Sequence, residues 1–142
     1  MATNYGKKTT YFTKTSSTDA DYDGDVVYFN LQDVVKGTIY YWKSDGTWEQ
    51  ADADAVATAD GLLAVALDAT TAAGMLIRGM VTLDHDPGAV GDVIFLSTTV
   101  GDATATAPSG NNDVIRIIGY CLDASNGQIW FDPDNTFVEV SA

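Results

Sequence analysis

Residues 91–140 read GDVIFLSTTVGDATATAPSGNNDVIRIIGYCLDASNGQIWFDPDNTFVEV, a series of short apolar runs cut repeatedly by Gly, Asn, Asp and Pro. No run there is long enough for an ordinary helix, while apolar runs of about four to eight residues bounded by turn residues match strands. The turn signals are Pro87-Gly88, Gly101-Asp102, the 108–112 loop and Asn126-Gly127. They predict strands over 75–83, 93–97, 103–107, 114–122, 128–131 and 137–140.

Upstream, apolar residues begin at Val26 and continue through Phe29, then from Val34 to Trp42. Asp45-Gly46 sits between two β-rich runs, a strong hairpin signal. The alanines of 51–73 favour helix, so a helix over 52–58 competes with a loop there. Beyond Gly61, Leu63, Val65 and Leu67 alternate with Ala64, Ala66 and Asp68, which predicts a strand over 62–67 with small residues on one face. Residues 62–70 and 117–125 echo each other, each an apolar strand running into Leu-Asp-Ala-Thr/Ser. Both read as similarly built hairpins in one sheet system. The sum is an all-β fold, a compact antiparallel β-barrel or sandwich of roughly eight to ten short strands.

A chain of 142 residues is the size of one domain and can bury a core without disulfides. We place that domain at 25–142 and read 1–24 as an extended N-terminal arm, because Tyr5, Tyr11 and Phe12 are its only large apolar groups before Tyr22. The formal charge of −13 repels a phosphate backbone and argues against nucleic acid as a partner. Residues 1–18 run opposite, with Lys7, Lys8 and Lys14 and no acid. Lys7, Lys8, Tyr11, Phe12 and Lys14 are therefore the candidate partner-binding residues, docking the arm on a neighbouring subunit or on its own domain. The first residues lack a signal-peptide core and no run approaches the ~18 apolar residues of a bilayer span, so a soluble product made in a cytoplasm, with no membrane partner, is expected. Cys121, the single cysteine, lies in an apolar run and is expected to be a buried thiol.

Three clusters invite chemistry. Asp19, Asp21, Asp23 and Gly24 match the first, third, fifth and sixth positions of a calcium loop, with Asp25 adjacent, but the twelfth position is Asn30 where a bidentate Glu belongs. Asp19, Asp21, Asp23 and Asp25 could still hold Ca²⁺ in a loop completed by other groups; a solvated acidic turn is the competing reading, and no other cofactor is expected. His85, between Asp84 and Asp86, reads mainly as part of an Asp-Pro-Gly turn whose aspartates favour a protonated imidazole. Asp132 and Asp134 flank Pro133 beside Trp130, which reads as a strand ending more than as a carboxylate pair for glycoside hydrolysis. No phosphate loop, nucleophile elbow or Cys-x-x-Cys occurs. Alternation on 40–42 sends Tyr41 to one face and Tyr40 and Trp42 to the other.

The order Gly-Asp-Val-hydrophobic-Leu-Ser, a Pro-Ser-Gly loop, an Ile/Val-rich strand ending Ile118-Gly119-Tyr120, and a hairpin into Phe131-Asp-Pro-Asp resembles β-domains in structural proteins of tailed bacteriophages, over roughly residues 61–142. The resemblance implies a non-enzymatic virion protein, a capsid decoration or cement protein on the outer capsid surface. It further implies contacts with the major capsid protein and with copies of itself, and trimers follow from the resemblance alone. The alternative is a fibre-head or tail-associated module binding host-surface carbohydrate through Tyr40, Trp42, Trp48 or Trp130. A small hydrolase built on Asp84, His85 and Asp132 is a third reading.

Overall fold

The computed structural model describes residues 12–141. It holds eleven strands among the described residues: β1 Tyr22–Val27, β2 Ile39–Trp42, β3 Trp48–Gln50, β4 Leu63–Ala66, β5 Met75–Thr82, β6 Val93–Leu96, β7 Ala103–Thr104, β8 Val114–Ile115, β9 Ile117–Asp123, β10 Gln128–Phe131 and β11 Val138–Glu139. One helical turn, α1 Val56–Ala59, and a 3-10 turn at Thr71–Ala73 complete it. The fold is all-β and antiparallel, a sheet in the order β3-β2-β4-β5-β10-β9-β6-β7 that curls on itself, with β8 and β11 forming a separate pair.

The curl starts at β5. Met75 and Leu76 pair with both β1 and β4, while Gly79, Met80 and Val81 pair with both β1 and β10. A strand has two edges, so β1 runs along one and β4 and β10 share the other end to end. Two wings, β3-β2-β4 and β10-β9-β6-β7, therefore hang from the same edge and enclose a core between them. Leu63, Val65 and Ile39 of the first wing meet Ile94, Leu96, Ile118, Ile129 and Phe131 of the second in one buried cluster. Opposite β5, irregular backbone closes the gap: Ala53 N–H donates to the Ser97 carbonyl, Gly101 N–H to Ala51 and Val114 N–H to Ala53, each at 2.8 Å. Ala51, Ala53 and Ala59 are fully buried, and only side chains this small let these segments approach so closely.

The second face of the first wing is covered too. Ala64 and Ala66 pack with Val34, Tyr40, Trp48 and Met75 in a separate cluster, so the small face of β4 makes room for aromatics. Tyr40 and Trp42 turn to this cluster and Tyr41 to the main core, as alternation requires. The echoing segments form the β4–β5 and β9–β10 hairpins, which stand side by side in the sheet.

Several expected boundaries move. β1 begins at Tyr22, ahead of the arm–domain boundary expected at residue 25, because pairing with β5 extends order into the acidic segment. Tyr28 and Phe29 leave the sheet, and Asn30 takes a left-handed backbone at φ 58°. The alanine-rich 52–58 stretch is mostly loop: Thr58 Oγ1 bonds back to the Asp52 carbonyl and carboxylate, and only Val56–Ala59 turns helical. The run 114–122 splits at Arg116, with β8 pairing β11 and β9 pairing β6 and β10.

β1 and β5 cross at Gly24 and Gly79, which face each other in register. A Cβ at Gly24 would overlap the Arg78 carbonyl, and one at Gly79, where φ is 141°, the Asp23 carbonyl. Gly79→Ala is expected to cost about 2–4 kcal/mol in urea unfolding. Gly46→Ala, at φ 81° but with open space around it, is expected to cost only about 1 kcal/mol. Equal costs would contradict the close crossing.

Candidate interaction surface

His85 is the most chemically suggestive side chain. Its Nδ1 lies 2.7 Å from Asp84 Oδ1 and 3.4 Å from Asp102 Oδ1, the one gathered trio of metal-ligand types among the described residues. The far nitrogen decides its role. Nε2 accepts the Ala103 backbone N–H at 2.9 Å, so the ring is the neutral Nδ1–H tautomer and gives its proton to Asp84. A neutral imidazole has one lone pair, and here it is spent on the first residue of β7. That lone pair is not free for a metal or a substrate proton. His85 clamps the 83–86 loop to the β6–β7 hairpin. Asp132, the third member of the hydrolase reading, follows the other end of β10, against Arg78, and is not brought to His85.

The four acids of the calcium reading do not converge. The Asp19 carboxylate accepts from the Asn126 amide, Asp21 from Ser16 N–H at 2.7 Å, and Asp23 from Thr13 N–H and hydroxyl at 2.9 Å. Asp25 sits 3.6 Å from Arg78 Nη1. Asp23 and Asp25 lie on β1, where an extended strand spaces alternate carboxylates about 7 Å apart, while Asp19 and Asp21 are tied into the turn before it; a calcium loop must instead curl all of them around the ion. The hydrogen bonds from Ser16 hold Asp21 below its usual carboxylate range, the mark of an acid committed to a turn. Cys121 is buried as expected, with its thiol pushed up by burial and its Sγ 3.5 Å from the Gly88 carbonyl.

Of the candidate partner-binding residues, Lys7, Lys8 and Tyr11 lie outside the described residues. Phe12 and Lys14 are seated on their own domain. Phe12 packs 6.0 Å from Trp130, and the Arg78 guanidinium covers both rings at 5.7 and 5.0 Å. Lys14 Nζ bonds Asp123 at 2.6 Å, the Thr15 and Thr82 hydroxyls meet at 2.7 Å, and Thr82 also bonds the Ser16 carbonyl. Asp132 and Asp134 end β10: Asp132 lies 4.0 Å from Arg78, and the Asp134 carbonyl accepts from Arg116.

The aromatic residues weighed for sugar contact are mostly turned inward. Tyr40 and Trp48 are buried, Trp42 is wedged between Phe29 and Trp48 at 4.6 and 4.9 Å, and Trp130 lies under Phe12 and Arg78. What the surface presents instead is a strap, residues 28–35, with Tyr28 65% and Leu31 78% exposed and Phe29 and Val35 partly so. Tyr28, Phe29 and Leu31 line a groove of about 270 Å³ with Asn30, Thr71 and Ala72. The strap is held from below. Gln32 donates to the Trp48 carbonyl at 2.9 Å and accepts the Trp48 N–H at 2.8 Å, standing in for a missing strand at the edge of β3. Thr71 Oγ1 donates to the Asn30 carbonyl at 2.7 Å and accepts from Gln32 N–H at 3.0 Å. In the sequence Tyr28 and Phe29 simply continue the apolar run from Val26, which does not show that they leave the sheet for the surface. The signal was present in Asn30-Leu31-Gln32: an asparagine suited to a left-handed turn, then an apolar residue with no alternating partner.

The Lys14 anchor has a defined pH dependence. Its hydrogen bond, helped by those from Ser125, lowers the Asp123 carboxyl from 3.8 to about 2. A depressed folded-state pKa means the contact stabilises fully above about pH 4 and is lost as pH falls toward 2. The Asp123 carboxyl is expected to titrate at about 2 by NMR, and Lys14→Met to raise it towards 3.8; a carboxyl whose titration is unchanged in Lys14→Met would contradict this assignment.

Comparison with family models, with curated proteins and with solved structures finds no match to this chain, so its function is argued from the geometry above.

Proposed function

We propose that this chain is a structural protein of a tailed-phage virion that works by binding: a capsid decoration protein on the outer surface of the head, contacting the major capsid protein and other copies of itself. The observation that carries the reading is the strap. Exposed apolar side chains on a segment fixed by partly buried hydrogen bonds make a preorganised protein contact, because little ordering entropy remains to be lost on docking. The rest of the domain supports it. A curled sheet with two cores gives a rigid mount, and the charge of −13 keeps free copies soluble and apart before assembly. A cement protein acts by spanning neighbouring subunits at many copies, so modest contacts add up along the shell. Docking of the strap supplies the apolar part of that contact. Trimeric assembly around local symmetry axes is part of the same proposal. The sugar-binding alternative loses its support where Tyr40 and Trp48 are buried.

The test is binding to purified heads. Tyr28→Ser with Leu31→Ser changes only exposed side chains, so stability is expected to stay within about 0.5 kcal/mol while affinity for heads falls at least tenfold. Quantitative mass spectrometry of virions is expected to find the protein at numbers comparable to the capsid subunits. Binding unchanged in the double variant, or a few copies per particle, would overturn the proposal.

A further inference from the structure

Arg116 is an unusual cation. It is 2% exposed, yet the ion pairs of the described residues leave it out. Its Nε donates to the Asp134 carbonyl and its Nη1 to the Ala59 carbonyl, both at 2.7 Å. Those two bonds explain why the guanidinium lies where it does, holding the end of α1 to the segment after β10. Neither bond uses Nη2, although a buried guanidinium ordinarily uses most of its five donors. Burial depresses the Arg116 pKa, opposed by the more distant charges of Asp60 and Asp134, the direction for a cation short of compensation.

Arg116 lines a cleft of about 220 Å³ with apolar Leu62, Leu63, Ile77 and Pro133 and with Asp25, Arg78, Asp132 and Asn135. Arg78 is half exposed and only loosely paired, 3.6 Å from Asp25 and 4.0 Å from Asp132. We infer that this cleft is a binding site for a monocarboxylate on a short apolar stem, the carboxylate reaching Arg116 and the stem packing on Leu62, Ile77 and Pro133. A planar guanidinium with an unused donor matches a carboxylate, and the apolar walls match methylenes better than they match a hydrated inorganic ion. Asp25 and Asp132 in the lining disfavour a second negative charge, which selects a monoanion over phosphate. Two sources supply this chemistry, a glutamate side chain of a partner protein and a small free acid. The site stands independently of the capsid reading.

The experiment is an NMR titration of the full chain, watching the Arg116 Nε–Hε resonance and the methyls of Leu62, Leu63 and Ile77. The probes are sodium butyrate, N-acetylglutamate amide, 1-butanol, sodium phosphate and sodium chloride. Saturable shifts with butyrate, a Kd on the order of millimolar, and at least tenfold weaker response to butanol, phosphate and chloride are expected. A response to N-acetylglutamate amide as well assigns the site to a partner's side chain; a response to butyrate alone assigns it to a free acid. Leu62→Trp, at an exposed position on the cleft wall, and Asn135→Trp, at its edge, are each expected to remove the response while leaving the backbone spectrum intact. Butyrate shifts no larger than those of chloride, or shifts that survive both tryptophan variants, would overturn the site.

Discussion

Everything in this fold depends on β5 being paired on both edges along most of its length. Its outer edge takes β1 and its inner edge takes β4 and then β10, so two sheets leave the same line and must diverge. Divergence creates the space that the main core fills, and the Gly24–Gly79 crossing lets β1 lie close enough to complete the pairing. An ordinary side chain at either glycine would push β1 off β5. The segment leading into β1 would then lose its register, and with it the bonds from Ser16 to Asp21 and from Thr13 to Asp23. Order at the N-terminal end is thus a consequence of the long-range pairing.

The same pairing sets up the surface. β1 and β4 meet β5 at Met75 and Leu76, and beyond that point the chain must leave the sheet, which it does at Tyr28. The departing strap finds β3, an edge strand, and Gln32 satisfies both backbone groups of Trp48 that a neighbouring strand would have taken. Covering an edge in this way protects against indiscriminate strand addition. It also leaves Tyr28 and Leu31 outward, because the inward positions of the strap are filled by Phe29 and Val34 against the aromatic cluster. Edge protection and the exposed apolar surface are two results of one arrangement.

Much of this was legible in the sequence where local chemistry decides. Asp45-Gly46 fixes the β2–β3 hairpin, and 128–131 and 75–83 match their strands almost to the residue, because apolar runs end at turn residues there. The alternation of Ala64 and Ala66 announced a small face, though not that aromatics fill it. What stayed hidden was non-local. Tyr-Asp-Gly-Asp has little β-propensity and becomes a strand only through β5. Arg116 interrupts an apolar run because its guanidinium is needed at the Ala59 and Asp134 carbonyls, distant in sequence. The acidic segment offered an ion loop beside a solvated turn because spacing in sequence does not reveal that Asp23 and Asp25 lie on an extended strand while Asp19 and Asp21 stay in the turn before it. His85 read mainly as part of a turn, and its bond to the Ala103 N–H, 18 residues away, was not visible in the sequence.

The central claim is that the 28–35 strap is a preformed contact for a capsid partner. Hydroxyl-radical footprinting of the free protein and of intact virions tests it most directly, since Tyr28 and Leu31 are the exposed apolar side chains in question. Strong labelling of both residues in the free protein and protection of both on the virion, with buried Phe131 unlabelled in either state, is the result this account predicts. Equal labelling of Tyr28 and Leu31 in the two states would contradict it.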